Sequence, residues 1–96
     1  MIIAQISITP IGAGTSVGDY VRVALDEIKR SGVKYELNAM ATVIEVESLD
    51  KLFEVVKRAH EAVIRKGGKR VITEIKIDDR RDKDASIESK IKTVEK

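Results

Sequence analysis

The sequence has no cysteine and no tryptophan, and only one proline and one histidine. Without cysteine there is no disulfide, no thiolate metal site and no cysteine nucleophile. The lone histidine, His60, has no second imidazole with which to share a zinc ion, and carboxylates alone hold zinc poorly. No metal site is expected. Aromatic residues make up 3% of the chain: Tyr20, Tyr35 and Phe53. Nucleic-acid binding asks for a basic stripe with stacking aromatics. Charge is plentiful but nearly balanced, with 18 basic against 16 acidic residues and a net charge of +2. That is a solvated surface, not one that seeks phosphates. No apolar run approaches the ~20 residues of a membrane span. The N-terminus lacks the basic and apolar regions of a secretion signal. These absences predict a soluble cytoplasmic protein with no nucleic-acid and no membrane partner.

What is present is aliphatic. The hydrophobic fraction is 43%, supplied by Ile, Val, Leu and Ala. Residues 2 to 9 alternate, with Ile2, Ala4, Ile6 and Ile8 on one side and Ile3, Gln5, Ser7 and Thr9 on the other, which predicts a strand. Residues 16 to 31 place Val17, Val21, Ala24, Leu25 and Ile28 at helical spacing, with Ser16 as the expected cap and Gly32 as the stop. Residues 33 to 38 and 40 to 47 read as two strands joined tightly through Asn38 and Ala39. Residues 50 to 66 predict a second helix with Leu52, Phe53, Val56, Ala59 and Val63 inward and Gly67–Gly68 as its stop. Residues 70 to 77 predict a last strand. The tail has Ile87, Ile91 and Val94 on a narrow stripe, a short helix that is marginal alone and must dock on this subunit or a neighbour. The order is βαββαβ plus a tail. It predicts an α+β, ferredoxin-like sandwich: a four-stranded antiparallel sheet with two helices on one face, plus a C-terminal helix. One domain is expected over 1–96, with the core at 1–79 and the tail helix at 84–96.

Two helices cover only one side of a sheet. The other side is expected to carry Ile3, Gln5, Ser7, Val43, Glu45, Ile72, Glu74 and Lys76. Its apolar members favour self-association, worth a few kcal/mol at ~25 cal/mol per Å². Dried carboxylates such as Glu45 and Glu74 then need a partner, either Lys76 or a bound cation. The pair also has the residue types for acid–base work, but nothing in the spacing fixes their separation. The glycines of ITPIGAGTSVGDY match neither a P-loop nor a complete dinucleotide fingerprint. They are read as a chain turn after Pro10, beside a helix N-terminus that offers a weak anion site at most. DDRRD at 78–82 reads as a self-paired, solvated run. No serine stands in a nucleophile elbow. No catalytic residue is expected, and the chain is not read as an enzyme.

Particular stretches resemble a known family: SITPIG at 7–12, SVGDYV at 16–21, SGVKYELNAMATVIE at 31–45 and KIDDRRD at 76–82. With the element order, they are similar to the small thiamine-binding-protein family, in its single-domain archaeal-type form. The core of the resemblance is Tyr-x-x-x-x-Met-x-Thr-x-x-Glu, here Tyr35, Met40, Thr42 and Glu45. Ala39 departs from the proline that some members carry before the methionine. The resemblance implies subunits that pair through their sheets and assemble as a homotetramer. It also implies a bound thiamine or related pyrimidine, with no catalysis and no cofactor. A carboxylate such as Glu45 suits the fixed positive charge of such a cationic heteroaromatic. Gln5, Ser7, Asn38 or Thr42 suit the donor and acceptor edges of an aminopyrimidine. Tyr35 suits stacking on a ring. Strand parity groups Glu45 with Gln5 and Ser7 and puts Thr42 on the opposite face. The alternative is a structural or regulatory oligomer without a physiological ligand.

Overall fold

The computed structural model describes residues 1–95. Strand β1 (Ile2–Pro10) is followed by α1 (Gly18–Arg30), β2 (Lys34–Leu37), β3 (Thr42–Val46), α2 (Leu49–Lys66), β4 (Val71–Asp78) and α3 (Ile87–Glu95). The four strands form one sheet in the order β2-β3-β1-β4. Every neighbouring pair is antiparallel. This is the expected α+β ferredoxin-like arrangement. The last residue of the expected tail helix, Lys96, lies outside the described residues.

The alternation in β1 decides what is buried. Ile2, Ala4 and Ile6 pack with Ile44 and Val46 of β3 under the helix layer. Helix α1 contributes Ala24 and Ile28 to that layer; α2 contributes Leu52, Val55, Val56, Ala59 and Val63. Phe53 does not join them. It is 50% exposed, and Val55 and Ala62 are buried instead, because the inward stripe of α2 is centred on the Leu52–Val56–Ala59–Val63 line. His60 sits at the edge of this layer, where Nδ1 is 2.6 Å from the Thr73 hydroxyl of β4.

Three local expectations are corrected. Ser16 does not cap α1; Val17 occupies the cap position and makes no side-chain cap bond. The glycine loop holds Gly12 and Gly14 at positive φ and delivers the chain to the helix one residue later than the Ser-x-x-Asp pattern suggests. The hairpin connection is wider than Asn38–Ala39. It spans Asn38 to Ala41, closed by Asn38 N–H donating to the Ala41 carbonyl at 2.8 Å, so Met40 leaves β3 and stands 88% exposed. Helix α2 begins at a cap absent from the expectation: Ser48, whose hydroxyl accepts from Lys51 N–H at 3.1 Å. At the other end of α2, Gly68 packs so closely that a Cβ there would lie 3.1 Å from both the Val63 carbonyl and Val71 Cγ2.

Candidate ligand-binding site

The register sorts the uncovered face into transverse rows. The first runs Lys34–Glu45–Ile3–Asp78, one residue from each strand. The second runs Glu36–Val43–Gln5–Lys76. Beyond these, only β1 and β4 continue, as Ser7–Glu74 and then Thr9–Ile72. Parity therefore places the expected residues on this face, as read from the alternation. Glu45 and Glu74 lie two rows and two strands apart, on the order of 15 Å, and form no acid–base pair.

The tail helix occupies the first row. Glu45 Oε1 accepts the backbone N–H of Ile87 at 2.8 Å. Lys34 pairs with Glu88, and Lys90 Nζ reaches Asp78 Oδ2 at 2.5 Å. Ile3 and Ile87 line the same groove and are buried, 8% and 6% exposed. Two expectations change here. Ile3 is covered within its own chain rather than left open. The Glu45 carboxylate is spent on the free N–H end of a helix, where a negative charge is favoured.

Between α3 and the second row lies an open groove of about 670 Å³, lined by Gln5, Val43, Glu36, Asn38, Lys76 and Ile91 among others. A second cleft of about 280 Å³ lies between α1, β1 and the hairpin. Its formation follows from the register. Pairing of β1 with β3 stops at Ile6–Thr42, whereas pairing with β4 runs on to Pro10. Among the described residues, the hairpin-side edge of Ser7–Pro10 has no strand partner. Val21 and Leu25 of α1 close the cleft from above, with Leu37 and Met40 at the hairpin. Thr42 and Asn38 add a hydroxyl and an amide, whereas Ser7 lines the cleft from a register position whose side chain belongs to the uncovered face.

The six expected site residues divide accordingly. Gln5 lines the groove; Ser7 and Thr42 line the cleft; Asn38 lines both. Tyr35 is half-buried on the helix-covered face and packs against the core, lining neither. Glu45 is held by the tail. The free strand edge and Met40 were missed, because alternation alone carried Met40 into β3. Lys76 and Glu36 were readable from parity.

Of the run 78–82, residues 79–82 are self-paired as expected, whereas Asp78 ends β4 and pairs with Lys90 of the tail. Arg80 donates to Asp82 through Nε at 2.7 Å and Nη2 at 3.0 Å. Arg81 Nη2 donates to Asp79 at 2.8 Å. These bonds hold both aspartates below the usual carboxylate range and raise both guanidinium values. Among the described residues, no three His, Asp or Glu side chains converge as a metal site, and no helix is long and apolar enough to cross a membrane.

Comparison with known proteins gives the family. The sequence profile described as "Thiamine-binding protein" matches residues 4–95. The chain belongs to the thiamine-binding protein family. Among its relatives is a UPF0045 protein of Methanothermobacter thermautotrophicus, 45% identical over 95 residues, covering 98% of this chain and 96% of the relative. Another is the UPF0045 protein YqgV of Bacillus subtilis, 48% identical over 101 residues, covering 100% and 96%. A hypothetical protein from Methanocaldococcus jannaschii has a similar crystal structure, with a TM-score of 0.90 at 40% identity over 98% of this chain and 95% of that one. The family and its relatives carry no indication of a catalytic activity.

Proposed function

We propose that this member of the family is a cytoplasmic, non-catalytic binder of thiamine or a related pyrimidine. The ligand's aminopyrimidine ring sits in the cleft between α1 and the hairpin. The observation that carries this reading is the unpaired edge of β1 beyond Ile6. A bare strand edge alternates N–H donors and C=O acceptors. An aminopyrimidine edge alternates in the same way. The Thr42 hydroxyl and the Asn38 amide extend that pattern. Val21 and Leu25 supply the apolar wall against a ring face, and Met40 supplies a polarisable sulfur at the rim. The volume, about 280 Å³, lies near the lower end for small-molecule sites and suits a compact ligand. Subunits pair through the uncovered sheet faces and build to a homotetramer.

Calorimetry with thiamine, and separately with its free aminopyrimidine half, tests the reading. Both should bind. Val21→Trp fills the cleft from a residue already 39% exposed and should weaken binding at least about tenfold. Gln5→Ala, in the groove, should leave affinity unchanged. Absence of heat with either compound, or a Val21→Trp variant that binds as tightly as the parent, overturns the assignment.

One observation favours a second reading. Glu45, the carboxylate suited to a thiazolium, is satisfied inside the chain. On that reading the protein is a structural or regulatory oligomer whose polar groups pair among themselves. Native mass spectrometry of purified protein would then retain no small molecule.

A further inference from the structure

The molecule carries more surface than its mass calls for. A compact monomer of 10.7 kDa exposes roughly 5,500 Å². This chain exposes 6528 Å². Its radius of gyration is 14.0 Å, against ~12.5 Å for a compact domain of this length. The excess, ~1,000 Å², is the scale that one partner contributes to a standard interface, ~800 Å².

Two features account for it. Helix α3 has nine residues, and only Ile87 is buried. Its apolar stripe continues outward through Ile91 at 41% exposure and Val94 at 84%. An isolated helix of this length is marginal, so that stripe lacks the surface that would hold it. The second feature is the bare end of the sheet, the Ser7–Glu74 and Thr9–Ile72 rows, where Ile72 is 44% exposed. One end of the face carries an arm; the other end has no cover.

We infer that the α3 arm of one copy lies across the Ser7–Glu74 and Thr9–Ile72 rows of a second copy, reciprocally. The inference rests on the self-association proposed above and not on the cleft. Twofold packing makes such a contact self-complementary. An axis running along the rows, between Gln5 and Ser7, sets the armed end of each face against the bare end of the other. Ile91 and Val94 then cover Ile72. The same axis sets Lys76 of one copy opposite Glu74 of the other. Among the described residues, neither has an ion-pair partner in its own chain. The second-row groove becomes a space walled by two chains.

The absence of native cysteine makes the test clean. Two single variants, Ile72→Cys and Val94→Cys, are purified, mixed under mild oxidation and run without reductant. A covalent heterodimer should dominate the mixture and be scarce for either variant alone. Sedimentation supplies the second measurement. Ile91→Asp with Val94→Asp changes two exposed positions and should weaken self-association at least about tenfold. If the parent chain sediments as a monomer at all concentrations, both the self-association and the arm contact fail. If the parent associates but the mixture gives no extra covalent dimer, or the double variant associates as tightly, the arm contact alone is overturned. Thiamine binding by the cleft is untouched by either result.

Discussion

Replacing Glu45 by alanine should release the tail while leaving the sheet intact. The Glu45 carboxylate accepts from Ile87 N–H at 2.8 Å, at the start of a helix that buries one side chain. Loss of a helix-capping acceptor costs roughly 0.5–2 kcal/mol. The charge adds about 0.3–1 kcal/mol through the helix dipole. Together they span about 0.8–3 kcal/mol; a central docking loss of about 1–2 kcal/mol is a factor of roughly 5–30 in the ratio of docked to released tail. The remaining attachments, Lys34–Glu88 and Lys90–Asp78, are solvent-exposed ion pairs and compensate weakly. Glu45→Gln keeps an acceptor oxygen and removes the charge, so its effect should be about half as large in free energy. Hydrogen exchange of the amides from Glu88 to Val94 reads the ratio directly. Those amides should exchange roughly 5–30-fold faster in Glu45→Ala, with Ala4 and Ile44 unchanged. Unchanged tail protection in Glu45→Ala would refute the view that this carboxylate anchors the helix. Faster exchange throughout the sheet would refute the view that the anchor is local.

The other two predictions concern packing and charge. Gly68→Ala should lower stability by about 1–3 kcal/mol, since its Cβ would press on the Val63 carbonyl and the Val71 side chain; an unchanged melting temperature would mean that this turn relaxes freely. The Asp79 and Asp82 values are depressed chiefly by hydrogen bonds from Arg81 and Arg80, so their pairing is complete above the ordinary aspartate range and is lost as pH falls through the lowered values. NMR titration should find both midpoints below that of an unpaired aspartate, and Arg81→Ala should return Asp79 alone to the ordinary range.

Period-two alternation made the sheet legible. It assigned Ile3, Gln5, Ser7, Glu45, Glu74 and Lys76 to one face, and the register agrees at each. Alternation fails where a strand ends, because the residues of a turn keep the pattern without the pairing. Met40 is such a residue: it has the parity of Thr42 and Ile44, yet the Asn38–Ala41 bond places it outside β3. Capping failed differently. Ser16 and Asp19 have the right spacing, but the backbone of the glycine loop determines where α1 begins. The site was legible only in part. Ser7, Asn38 and Thr42 meet because β3 starts late relative to β1. That offset is a property of long-range register, which no local pattern encodes. The tail's choice of Glu45 was hidden for the same reason, since the two partners are 42 residues apart.

The first row has a practical meaning for anyone following this protein as it folds. Each strand lends one side chain to the attachment of α3: Lys34, Glu45, Ile3 and Asp78. A slip of one residue in any strand would turn its contribution toward the helix layer and leave the tail with a missing hold. A fluorescent label near the end of α3 would therefore report whether all four strands have aligned correctly.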